Sequence, residues 1–134
     1  MITVDASVLI AHFDPTDSHH EDATRMLLRA AGETLVAHTV TVAEVLVGAA
    51  RRGKARARLD DITALGVEVS ARRPGEEPLR LAELRVSTGL RLPDCCVLLT
   101  ALAHEGARLA TFDRDLAGAA HRLGVRVLPE GGAD

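Results

Sequence analysis

The chain has 134 residues, 47% of them hydrophobic, with a net charge of −3, the size and composition of one domain around one sizeable core. No apolar run approaches the roughly 20 residues needed to cross a bilayer, and the start lacks a signal peptide's basic region and cleavage site, so a cytoplasmic, membrane-free protein is expected. The weakly acidic balance excludes a generally basic nucleic-acid binder, and with Phe13 and Phe112 as the only Phe, Tyr or Trp residues no stacking platform for single-stranded bases is expected.

In chain order, Ile2 to Val4 is β-branched and fits a short strand ending at Asp5. Ser7 reads as the N-cap of a helix through Val8, Leu9 and Ile10. Pro15 to Ser18 breaks that helix, and Asp17 or Ser18 caps a second from about His19 to Ala31, with Ala23, Met26, Leu27 and Ala30 at helical spacing. His19 and His20 are neighbours that point apart on a helix, which reads as surface polarity rather than a metal site. Thr34 to Ala37 is a second strand, followed by Thr39 or Thr41 as cap of a helix carrying Glu44 and ending before Gly53.

A basic segment from Lys54 to Leu65 follows, buried through Leu59, Ile62 and Leu65. Arg51, Arg52, Arg56 and Arg58 crowd around its start, either as a patch for RNA phosphates or as a solvated helix face. Gly48 to Lys54 has the G-x-x-x-x-G-K spacing of a phosphate loop, but Ala55 supplies no hydroxyl and a helix precedes it, which excludes a nucleotide hydrolase.

Val67 to Val69 is a third strand, Arg72 to Pro78 a polar loop, and Leu79 to Val86 a helix ending near Gly89. Pro93 opens the next helix, which places Asp94 in a first turn. Arg108 to Thr111 is a fourth strand, Asp113 and Asp115 follow its end, Leu116 to Leu123 is a short helix, and Val125 to Leu128 a last strand. Residues 1–130 therefore read as one domain and 131–134 as a frayed tail. Cys95 and Cys96, the only cysteines, read as reduced and packed.

Alternating strands and helices predict a single three-layer α/β domain, a mostly parallel sheet between helices. In such a fold strand ends and the helix starts that follow share one rim, so Asp5, Glu44, Asp94 and Asp113 are able to converge. Two carboxylates about 4 Å apart at an effective dielectric near 20 repel by roughly 4 kcal/mol, so a converged cluster calls for a cation or shared protons. Oxygen-only donors select a hard divalent ion, Mg²⁺ or Mn²⁺.

At these residues the chain resembles the PIN-domain family of metal-dependent ribonucleases, and within it the VapC-like toxins of type II toxin–antitoxin systems. The family's opening acid and hydroxyl residue stand here in VDAS as Asp5 and Ser7, and its helical acid in TVAEVLVGAARRG as Glu44. Its third acid stands in LPDCCVLLTALA as Asp94, and its closing T-x-D in LATFDRDL as Thr111 and Asp113, with Asp115 a further acid close by. Cys95 and Cys96 occupy places where many members have small aliphatic residues. The resemblance implies an endoribonuclease that cuts structured RNA, tRNA or ribosomal RNA, and arrests translation. It implies Mg²⁺ or Mn²⁺ on Asp5, Asp94 and Asp113, with Glu44 direct or through water, a homodimer, and inhibition by a small VapB-like antitoxin with a basic tail. The alternatives are a catalytically inactive RNA- or protein-binding module and a housekeeping RNA-processing nuclease. A haloacid dehalogenase needs a second Asp where Ser7 stands, and a receiver domain needs a late lysine where Lys54 is the only one.

Overall fold

The computed structural model describes residues 1–70 and 75–130. Its elements are β1 (Ile2–Val4), α1 (Ala6–Phe13), α2 (His20–Arg29), β2 (Leu35–Ala37), α3 (Thr39–Arg51) and α4 (Ala55–Ala64). There follow β3 (Val67–Val69), α5 (Glu77–Thr88), α6 (Leu92–Leu102), β4 (Arg108–Ala110), α7 (Arg114–Arg122) and β5 (Arg126–Leu128). Every pairing is parallel and the order is β3-β2-β1-β4-β5, so the expected mostly parallel sheet is wholly parallel over the described residues.

The strands are short and buried on both faces, which is why they read as apolar runs rather than alternations. Ile2, Val4, Leu35, Ala37, Val67 and Ala110 project to the face covered by α1 to α4. Leu109 and Val127, offset by one residue, project to the other face and meet Leu98, Leu116 and Ala120 of α6 and α7. Leu9, Leu98, Leu109 and Leu116 are fully enclosed, each contributing about 1.5–3 kcal/mol of burial. Cys95 and Cys96 are in no disulfide and are packed inside, as expected.

The chain winds outward from β1 through β2 to β3, then returns to the other side of β1 as β4 and β5. The two windings part between β1 and β4, and in open parallel sheets the crevice beyond the strands' carboxyl ends at such a parting is where ligands bind. Asp5 directly follows β1, and Asp113 lies just beyond β4.

Local differences from the sequence reading have local causes. The first helix begins at Ala6 with Asp5 in the cap position, so Ser7 is not the cap; its hydroxyl turns back to Asp5 instead. His38, not Thr39 or Thr41, caps α3: Nδ1 accepts the Val40 N–H at 3.0 Å, which leaves the proton on Nε2 to meet Glu77 Oε1 at 2.6 Å. Helix α5 starts at Glu77 and takes Pro78 into its first turn, where a missing N–H costs nothing. It stops at Gly89, whose φ of 74° places it in the left-handed region. Residues 72–74 of the loop expected over Arg72 to Pro78, and the tail expected at 131–134, lie outside the described residues.

Candidate active site

Asp5 is buried at 6% exposure and is held by one neighbour in sequence and one from the far end of the chain. The Ser7 hydroxyl donates to Asp5 Oδ2 at 2.8 Å and the Thr111 hydroxyl donates to the same oxygen at 2.7 Å. Each hydroxyl in turn accepts a backbone N–H at 3.0 Å, Ser7 from Phe112 and Thr111 from Asp113. Donor and acceptor roles of both hydroxyls are thus assigned, and Oδ2 has its two lone pairs engaged. Oδ1 is the oxygen that this arrangement directs to other work.

Asp113 stands at the N-terminus of α7, where its Oδ1 accepts the Leu116 N–H at 3.0 Å. Its second oxygen is not used by that cap. Asp94 lies in the first turn of α6 behind Pro93, half-buried. Glu44 sits in the second turn of α3, exposed on the same rim.

Electrostatics tie these acids together. Burial first, then the charges of Asp5 and Asp94, push the Glu44 carboxyl above the ordinary glutamate value, against a pull from Arg91. Burial first, then Asp113 and Asp5, push Asp94 upward, again opposed by Arg91, with Asp115 adding a weaker repulsion. The four sequence-predicted acids are therefore neighbours in charge, and Asp115 is an exposed outlier of the group. As they stand, no three His, Cys, Asp or Glu side chains among the described residues are gathered closely enough to hold a metal ion. The donor chemistry nevertheless fits Mg²⁺ or Mn²⁺, since all donors are carboxylate oxygens and two of them hold protons too readily for an uncompensated negative cluster.

Arg91 is the residue that the sequence reading missed. It occupies the position before α6 and acts on both Glu44 and Asp94. The signal was present as an Arg one helical turn ahead of Asp94 in RLPD, but only the fold shows that this turn faces Glu44.

The basic group is divided rather than joined. Arg58 stacks on Phe13, 4.4 Å from the ring centre, and pairs with Asp61 at 3.5 Å. Arg56 pairs with Asp60 at 3.4 Å along the exposed face of α4. Arg51 and Arg52 end α3 in exposed positions. Arg52 and Arg58 also line a groove of about 490 Å³ with Ile10, Phe13, Glu44 and Val45, which leads to the acidic rim through Glu44.

One pair of stacked rings lies beside these acids. The His19 ring lies flat on Phe112, centroids 4.4 Å apart and planes 15° from parallel. A histidine supplied the second ring, which a count of Phe, Tyr and Trp cannot show.

Comparison with known proteins agrees with this fold. Among solved structures the chain is similar to the crystal structure of PAE2754 from Pyrobaculum aerophilum, with a TM-score of 0.63 at 23% identity over 95% of this chain and 88% of that one, a likeness of fold. No curated protein sequence matches it. The PIN domain family model matches residues 2–122, which contain β1, the parallel sheet's parting and all four acids. The chain belongs to the PIN-domain family.

Proposed function

We propose that this protein is a metal-dependent endoribonuclease that cuts structured RNA, tRNA or ribosomal RNA, as the toxin of a toxin–antitoxin pair. The observation that carries the reading is that Asp5, Glu44, Asp94 and Asp113 come from four separate elements to the parting of the sheet, where Asp5 and Asp94 repel Glu44, and Asp113 and Asp5 repel Asp94. A structural role alone does not require Glu44 and Asp94 to be placed where burial and neighbouring acids disfavour their ionisation.

Asp5, Asp94 and Asp113 would hold Mg²⁺ or Mn²⁺, with Glu44 direct or through water. When bound, the ion supplies an activated water and offsets charge at the scissile phosphodiester. The chain's own contribution is positioning. Ser7 and Thr111 fix Asp5 through one oxygen, Asp113 is fixed through its cap to Leu116, and α6 brings Asp94 in from its first turn. Arg91 adds a cation at the same rim, placed to meet an RNA phosphate that the acids alone would repel.

Two features support partners. Leu79 and Val86 of α5 are 63% and 86% exposed, an apolar surface suited to a second copy of the chain. The groove between Phe13, Val45 and Arg52 opens beside the acids and suits an antitoxin segment that ends in a basic residue. Incubating the protein with total RNA in Mg²⁺ and in EDTA tests the nuclease; metal-independent cleavage, or none in either, overturns it. Expressing the chain alone tests the toxin role: growth should stop, and Asp5→Asn should relieve the arrest. Unimpeded growth at high expression of an active nuclease leaves a housekeeping RNA-processing enzyme as the reading.

A further inference from the structure

We propose that His19 and Phe112 form a base-stacking subsite, which seats an unpaired RNA base beside the acidic rim; the inference rests on the nuclease reading above. Phe112 lies between Thr111 and Asp113, two residues of the site, and its N–H donates to Ser7 Oγ at 3.0 Å. Its partly buried ring packs on the core formed by α1 to α4. The His19 ring lies flat on it, centroid to centroid 4.4 Å and 15° from parallel. The result is a stack of core, phenyl and imidazole, ending in water.

His19 is held in that pose from its own loop. Its N–H donates to Asp17 Oδ1 at 2.8 Å, and Nδ1 has Ser18 Oγ at 3.5 Å and Asp17 Oδ1 at 3.8 Å. It stands at the cap position of α2 yet makes no side-chain cap bond, so capping does not account for the ring's placement. Half of the side chain, 50%, remains exposed. Stacked on Phe112 and half exposed, the imidazole is a preorganised aromatic surface, and stacking there loses little further side-chain freedom.

RNA-binding proteins that read loops splay bases out and stack them on rings, histidine included. Such stacking tolerates any base, since every base has a π-face. Because Phe112 shares its backbone with Thr111 and Asp113, a base on His19 belongs to a nucleotide close to the phosphate at the acids. The platform therefore favours cleavage in a single-stranded loop over cleavage within a paired stem.

The test is binding in EDTA, without cleavage, to a short RNA hairpin whose loop carries 2-aminopurine at one position at a time. Wild type is expected to quench the fluorophore at one position. His19→Ala should lose that quench and bind about 5- to 100-fold more weakly, the span that one base stacked on one ring carries. His19→Phe, which keeps a flat ring and no ionisable group, should retain both. The salt dependence of binding should be alike in all three, because stacking releases no counterions. Equal binding and quench by His19→Ala overturns the inference, as does a His19→Phe that behaves like the alanine variant. Wild type that cleaves RNA in Mg²⁺ but quenches at no position overturns the subsite alone. Wild type that neither binds nor cleaves RNA overturns the nuclease reading with it.

Discussion

Thr111 Oγ1 stands 2.7 Å from Asp5 Oδ2, a hydrogen bond closed between residues 106 apart in sequence. It joins the ends of β1 and β4 across the parting of the sheet, where both residues are buried. Removing a hydrogen bond to a buried carboxylate costs about 1.5–3 kcal/mol. Thr111→Val should therefore lower stability by about that amount in urea unfolding and reduce RNA cleavage, while Thr111→Ser restores both. Unchanged stability in Thr111→Val would show that Ser7 alone suffices to hold Asp5.

Asp94 carries a pH dependence of the opposite sense from a paired carboxylate. Its folded-state value lies above the ordinary 3.8, so the native chain holds that proton more tightly than the unfolded one. Stability then falls as pH rises from the ordinary value through the higher folded value, and the loss is complete above it. In EDTA at pH 7, Asp94→Asn should unfold at a higher temperature than wild type. Below pH 3.8 the difference should vanish. Thermal unfolding across that range decides it, and a less stable Asn variant at neutral pH contradicts the penalty that burial and the neighbouring acids place on the Asp94 charge.

Divalent metal should reverse the same repulsion. A ligand bound only by the folded state adds about 2.7 kcal/mol at a concentration 100 times its Kd. Mg²⁺ or Mn²⁺ should thus raise the unfolding midpoint of wild type, and Asp5→Asn or Asp94→Asn should flatten that response while abolishing cleavage. Glu44→Gln should lose about 10- to 100-fold, as an acid acting through water does. Metal stabilisation that persists in Asp5→Asn places the ion elsewhere.

The arginines should separate into two behaviours. Arg51→Ala with Arg52→Ala removes two exposed charges and should flatten the salt dependence of RNA binding at little cost to stability. Arg58→Ala, whose side chain is 24% exposed and lies on Phe13, should instead lower stability, by about 0.5–1 kcal/mol from the ring contact. Parallel salt titrations and unfolding curves on the two variants measure the contrast.

The strands at Ile2, Leu35, Val67, Arg108 and Arg126, the stop at Gly89 and the acids' places at strand ends and helix starts were legible along the chain. Each depends on local periodicity, capping chemistry or backbone preference, which act within a few residues. Order alone then implied a parallel sheet and a common rim, because alternating strands and helices have few other ways to pack. The tertiary structure decided what joins across that rim. It placed Ser7 and Thr111 on one oxygen of Asp5, set Arg91 against both Glu44 and Asp94, replaced the threonine cap of α3 with His38, and laid His19 on Phe112. Thr111 with Asp5, Arg91 with Glu44 and His19 with Phe112 have no spacing that a helix or strand period would mark. They exist because the sheet brings the ends of β1 and β4 together and folds the loop before α2 over them, a juxtaposition that depends on the whole core and on no single stretch of sequence.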